Sequence, residues 1–321
     1  NIRETVLKYG GEIHFESRVV DFIIKNNKIQ AIKLQNDTEM PVEALILATG
    51  HSARDIYYLL HRKNISLKAK SFAMGVRVEH PQQIIDSIQY HCESERNELL
   101  PPAAYSLVHQ VNERGVYSFC MCPGGFIVPA ATANGEVVVN GMSPSRRNSK
   151  FANSGIVVEI NADKDLFKYE QFGVLKGLEF QKDLEKLAFL AGGRSQTAPA
   201  QRLTDFVEGK LSSSLNVTSY QPGLKSAPLH SLLPKLIGGR LRTGFMEFGK
   251  KMKGFYTEEA NVVGVESRTS SPVNIPRKEN LEHPEIAGLF PCGEGGGYAG
   301  GIVSAAMDGE RCAEAAIKSL Q

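Results

Sequence analysis

Leu289-Phe290-Pro291-Cys292-Gly293-Glu294-Gly295-Gly296-Gly297-Tyr298-Ala299-Gly300-Gly301, followed by Ile302-Val303-Ser304-Ala305-Ala306-Met307-Asp308-Gly309, decides how the chain is read. The apolar opening predicts a short buried strand, the glycines a loop nearly free of side chains, and the small residues at the close a helix. Glycine lets the backbone approach a ligand and adopt dihedrals that cost other residues steric energy. A helix starting directly after such a loop aims unpaired N–H groups and a positive dipole end at whatever the loop holds. The stretch therefore reads as a site for an anion or a polar ring, the bland alternative being a flexible turn.

The N-terminal part supplies strands that could flank it. Asn1 to Tyr9 has apolar residues on helical spacing and stops at Gly10-Gly11. Glu12 to Glu16 alternates as a strand. Arg18 to Ile24, Asn26-Asn27 and Lys28 to Leu34 read as a hairpin with a two-residue turn. Ala44 to Gly50 is a continuous apolar run, as expected of a strand buried on both faces. His51 follows, then Ser52 as the expected N-cap of an amphipathic helix. His51 invites an acid–base role, yet nothing in the sequence pairs it with a carboxylate, and a packed histidine at a strand end is the alternative.

The run Gly288 to Glu294 with Gly-Tyr-Ala-Gly-Gly-Ile at 297–302 resembles the C-terminal flavin-binding segment of two-domain FAD-dependent oxidoreductases. More closely, it resembles an uncharacterised FAD-dependent dehydrogenase family of bacteria, over nearly the whole chain. That resemblance implies an α/β fold in which a Rossmann-like FAD/NAD(P)-binding domain carries an inserted α+β substrate domain. It implies FAD as cofactor, hydride transfer between flavin N5 and a small-molecule substrate, and possible use of NAD(P)H as electron donor. Ala48, Thr49 and Gly50 would lie near the cofactor with Gly293, Glu294 would bind the ribityl chain, and Gly300, Gly301 and Ile302 would bring a helix N-terminus to the flavin ring. The family's strand–GxGxxG–helix unit for the ADP half has no counterpart in this sequence, which opens without a methionine. The expectation is a chain whose N-terminal βαβ lies upstream, with the alternative that it is a non-catalytic fold fragment or partner-binding module.

From Ala69 the texture changes, and the domains are expected as 1–68 with 260–321 for the cofactor and 69–259 for the insert. Arg77 and Glu79 lie two apart on the strand from Phe72, as a surface ion pair or a contact for a substrate carboxylate. Strands are expected over 104–111, 115–122, 126–131 and 136–140. Cys120 and Cys122 share one face of a regular strand there, and adjacent thiols can cycle through a disulfide, although buried packing is the commoner use of free cysteine. Arg146 and Arg147 sit in a polar loop. Helices are expected over 174–190, 201–207, 229–237 and 241–252, with 212–228 a surface loop. Val262 to Val273 resembles the family segment by which the chain re-enters the cofactor domain, which makes Arg268, Thr269 and Ser270 candidates for the flavin face or the adjacent substrate, the alternative being a charge and hydroxyls that satisfy a buried turn; Arg268, Tyr298, Cys120 and Cys122 are the weak catalytic candidates.

Composition bounds these readings. The 321 residues are 42 % apolar and carry a net charge of +2 without blocks of one sign, which argues for small-molecule chemistry and against nucleic-acid or membrane-surface binding. No apolar run approaches the roughly 18 residues of a membrane helix. Cys92, Cys120, Cys122, Cys292 and Cys312 are an odd set without zinc or disulfide-framework spacing, so the expected home is a reducing cytoplasm and no metal is expected.

Overall fold

The structure is a computed structural model and describes residues 1–93 and 95–321. The chain forms two compact units, Asn1–Lys68 with Asn274–Gln321, and Ala69–Val273.

The first unit begins with helix Ile2–Lys8 and a three-stranded antiparallel meander, Val19–Lys25, Lys28–Leu34 and Glu39–Pro41. Its tight turn uses Asn26 and Asn27, both left-handed at φ 52° and 57°, a conformation asparagine tolerates better than most residues. Residues 12–16 form no strand, because the chain turns at Glu16, also left-handed at φ 55°. A parallel pair joins the unit's two sequence segments, with Leu45, Ile46 and Leu47 in register with Leu289, Phe290 and Pro291. Leu289–Pro291 is buried throughout, but Ile46 is 37 % exposed. The expected strand buried on both faces is therefore covered on one, since these two strands pair only with each other among the described residues. Helix Arg54–Arg62 has Ala53, not Ser52, at its N-cap, because the Ser52 carbonyl closes a turn onto the Arg54 N–H at 2.9 Å. Helix Ile302–Ser319 ends the chain.

The second unit is built on a seven-stranded sheet in the order Leu224–Ser226, Ala198–Arg202, Asn261–Glu266, Phe72–Pro81, Phe151–Ile160, Arg114–Cys122, Val108–Val111. All neighbours are antiparallel except the first pair. The long strands Phe72–Pro81 and Phe151–Ile160 pair over ten residues, and both are buried almost end to end. Helices Lys176–Ala191 and Lys235–Lys251 contribute Phe180, Leu184, Leu241, Phe245 and Phe248 to the same core as Val116, Ile156 and Val158. Lys235–Lys251 runs unbroken through Gly239, where a break was expected. Gly244 fits because a Cβ there would lie 2.7 Å from Val116 Cγ1, so the helix uses glycine for close approach to the sheet.

Other local expectations shift. Residues 198–202 are strand, and the helix expected from Gln201 starts at Leu203. The 212–228 segment is more than a surface loop, since it buries Ser212, Ser219, Tyr220 and Ala227 and adds an edge strand. The strand expected from 104 is confined to Val108–Val111. A separate two-stranded ribbon pairs Phe126–Pro129 with Val139–Met142. Asn261–Glu266 lies inside the second unit's sheet, between Ala198–Arg202 and Phe72–Pro81, so the compact units divide at 273/274 rather than at 260. No helix among the described residues is long and apolar enough to cross a membrane.

Candidate functional site

The parallel strands Leu45–Leu47 and Leu289–Pro291 run in register, so the chain leaves both at the same end of the first unit. After Leu47, Ala48 and Thr49 are exposed and Gly50 takes φ 70°. After Pro291, Cys292 is extended and Gly293 takes φ 66°; Gly293–Gly296 makes one helical turn, and Gly297 ends it at φ 87°. The two turns touch backbone to backbone. A Cβ on Gly295 would stand 2.7 Å from the Gly50 carbonyl oxygen, too close for any side chain. Tyr57, buried on helix Arg54–Arg62, donates its hydroxyl to the Gly295 carbonyl at 2.8 Å and fixes this turn from below.

This packing brings together two residues that the sequence left separate. His51 Nδ1 lies 3.2 Å from Glu294 Oε2, with the His51 side chain 11 % exposed and Glu294 33 % exposed. The approach lacks hydrogen-bond geometry, and both ring nitrogens are buried without a hydrogen-bond partner. Unsatisfied buried nitrogens are costly, on the order of 1–3 kcal/mol each.

Behind the turn, Arg277 acts as a clamp. Its guanidinium donates to both Asp308 carboxylate oxygens (2.9 and 2.7 Å) and to the Pro291 carbonyl (3.0 Å), and it lies 3.7 Å over the Tyr298 ring. Asp308 also accepts the buried Gly293 N–H at 2.7 Å. Burial alone would raise the Asp308 carboxyl; the hydrogen bonds from Arg277 and Gly293 outweigh it and hold the group below its ordinary value. Burial pushes the neighbouring Cys292 thiol up to about 12 and also raises Cys312, so both stay protonated. Sequence reasoning missed Arg277 and Asp308. The one signal was the i, i+4 spacing of Asp308 and Cys312, which puts both on the buried face of the last helix.

Gly301 is the N-cap of helix Ile302–Ser319, and no side chain caps it. A Cβ on Gly300 would meet nothing within 4 Å, and one on Gly301 only Ser304 Oγ at 4.0 Å. The chain's own packing thus does not demand glycine at either position. Ile302 and Val303 are 92 % and 73 % exposed, so the helix opens on a bare apolar turn.

The weak catalytic candidates are placed differently. Tyr298 spends its hydroxyl on the Ile275 carbonyl at 3.1 Å and its face on Arg277. Arg268, in the second unit, is almost buried between Glu185 (2.9 Å) and Glu136 (3.3 Å) and also donates to Thr132 Oγ1. Cys120 and Cys122 do not share a face. The sheet register slips between Asn153 and Gly155 opposite them, Cys120 is forced to φ 43°, and Cys120 faces outward while Cys122 is buried. The Cys122 thiol donates to the Cys120 carbonyl at 3.3 Å. Arg77 and Glu79 are not a surface pair. Both are buried, and Arg77 binds Glu266 instead, at 2.7 and 3.1 Å.

A family profile described as "FAD-dependent protein, C-terminal domain-like" matches residues 71–269, well over half of the chain. The chain belongs to this FAD-dependent protein family. The matched residues fall within the second unit, so the glycine turn lies outside the matched segment. A protein of Clostridium beijerinckii described as uncharacterized is 42 % identical over 324 residues, covering 100 % of this chain and 60 % of that relative. The chain thus spans about three fifths of the relative's length. Kinship to FAD-dependent proteins supports a flavoprotein-related domain and leaves the reaction to be argued from residues.

Proposed function

We propose that the first unit supplies one wall of an FAD site, and that the protein is an oxidoreductase moving hydride between the flavin and a small-molecule substrate. The observation that carries this reading is the His51–Glu294 pair, with its orphaned ring nitrogens, at the shared carboxyl end of two parallel strands. Ligands of α/β proteins bind outside the carboxyl ends of parallel strands. A hydroxyl-rich chain such as ribityl offers both donors and acceptors, and so fits a carboxylate beside an unsatisfied imidazole.

In this reading Glu294 accepts a ribityl hydroxyl, and His51 completes its own hydrogen bonding through the same ligand. Gly50 and Gly293, both with left-handed backbone, keep the two turns low enough for a ligand to lie across them. Ala48 and Thr49 line the approach. The uncapped N–H groups after Gly301 face negative charge on a ring placed before them, where the helix dipole stabilises it. FAD, when bound, supplies the two-electron chemistry, while this chain's residues bind, orient and electrostatically bias it. Arg277 and Asp308 hold the turn in place from behind and do not touch the ligand.

Gly300→Val in the full gene product tests the placement. Since a side chain there meets no protein atom, the apo protein's melting temperature should change little while FAD affinity falls. A lower melting temperature with FAD affinity intact would make the glycines a packing device and remove the site.

A further inference from the structure

Behind the glycine turn of the first unit stand two thiols and a carboxylate that the cofactor reading does not use as a group. Cys292 follows the strand Leu289–Pro291 and is the N-cap of the turn Gly293–Gly296. Asp308 and Cys312 lie one helical turn apart on the buried face of Ile302–Ser319. Cys292 Sγ, Cys312 Sγ and a carboxylate oxygen of Asp308 all stand within 4.8 Å of one another. Among the described residues this is the one group of three or more His, Cys, Asp or Glu side chains gathered in that way. The three side chains are buried, Cys292 being 2 % exposed, Cys312 0 % and Asp308 5 %. Cysteines that only fill a core need no carboxylate at the same point, and burying one is costly unless charge and hydrogen bonds hold it.

The distances are those a tetrahedral metal asks for. Metal–sulfur bonds near 2.3 Å and metal–oxygen bonds near 2.1 Å put such donors about 3.5–3.8 Å apart. The two thiols already lie within hydrogen-bond reach of each other, and rotation about the side-chain bonds closes the remainder. The Pro291 carbonyl, 3.8 Å from Cys312 Sγ, offers a fourth donor. Arg277 frames the group. Its Nη2 donates to Asp308 Oδ1 at 2.7 Å, its Nη1 donates to Oδ2 at 2.9 Å and lies 3.6 Å from Cys312 Sγ, and the Gly293 N–H reaches Oδ2 at 2.7 Å. Carboxylates that ligate metals are ordinarily oriented by hydrogen bonds of this kind.

Charge sets the valence. Two thiolates, one carboxylate and one guanidinium leave two negative charges, which one divalent cation cancels, and buried charge is tolerated where it is balanced. Sulfur ligands disfavour Mg²⁺ and Ca²⁺, which take oxygen, and suit Zn²⁺. We infer that Cys292, Cys312 and Asp308 bind one Zn²⁺ ion, the two thiol protons leaving to solvent as the thiolates form. With its three side chains buried the site is structural. It ties the end of strand Leu289–Pro291, and so the glycine turn, to the last helix, and it leaves the face over Gly300 and Gly301 free.

The test uses the whole chain without FAD, kept reduced with a phosphine, and titrates Co²⁺ as a visible substitute for Zn²⁺. One equivalent should bring up the intense near-ultraviolet thiolate-to-cobalt band with the visible bands of tetrahedral coordination, and Zn²⁺ should bleach them. Cys312→Ala should weaken Co²⁺ binding by roughly 100-fold or more, beyond the 10- to 100-fold lost when only an outer hydrogen-bond partner of a ligand changes. Cys120→Ser with Cys122→Ser should keep the bands, which separates this site from the other cysteine pair. Zn²⁺ should also raise the melting temperature of the unaltered chain saturably, a readout that depends on no variant folding. No thiolate band at one equivalent, bands unchanged in Cys312→Ala, bands lost with Cys120 and Cys122, or no shift in melting temperature would overturn the assignment. With FAD left out, such a failure would leave the cofactor reading standing.

Discussion

His80 shows how a single side chain can make the whole fold sensitive to pH. Burial lowers its pKa from the ordinary 6.5 to about 4, so the native ring stays neutral where the unfolded ring takes up a proton. Above pH 6.5 both states are neutral and the residue contributes no slope. Between 6.5 and 4 the unfolded state binds more protons, and stability should fall with falling pH by up to about 1.4 kcal/mol per unit, about 3 kcal/mol in all. Urea unfolding at several pH values checks this. His80→Gln should flatten that part of the profile, and an unchanged slope would assign the acid sensitivity to other groups. Arg77 and Glu79 carry a different lesson at the same scale. Spacing put them on one strand face, and that much was legible; that the face is interior depends on the ribbon strand Val139–Met142 packing over it, where a Cβ on Gly141 would collide with Arg77 Nη1, which no local pattern announces.

At the scale of elements, the glycine turn and its helix were readable because local rules dictate them. An apolar triplet gave the buried strand, glycines with left-handed φ gave the turn, and alanine-rich spacing gave helix Ile302–Ser319. What could not be read was which glycine serves which purpose. Gly295 is held against the Gly50 backbone, whereas a Cβ on Gly300 would point into open space. Gly295→Ala should therefore cost about 1–3 kcal/mol, as over-packing against rigid backbone does, and thermal unfolding of the chain reads it directly. A stable Gly295→Ala protein would mean that the two turns can separate. The expected CxC pair failed for a related reason. A register slip between two strands put Cys120 in the left-handed region and reversed its facing, and such a slip depends on the opposite strand.

At the scale of the whole molecule, one change of texture near Ala69 was visible in the sequence, and the compact second unit begins there. The return point was placed too early, because Val262 to Val265 has the apolar texture of any buried strand and composition does not say which sheet receives it. The second unit carries the family signature, while the first carries the glycine turn, so kinship and candidate site lie on different parts of the chain. The candidate site was half legible. Glu294 and the glycines came from the motif and its resemblance; the His51 partner came only from folding residues 51 and 294 together.

The central claim is that Glu294 is a cofactor ligand, and fluorescence titration of FAD onto the full gene product and its Glu294→Ala variant tests it most directly. Loss of a hydrogen bond from a buried hydroxyl costs about 1–3 kcal/mol, so affinity should fall roughly 5- to 150-fold in the variant. Equal affinity in the two proteins would contradict the claim and leave the His51–Glu294 pair without a ligand to hold.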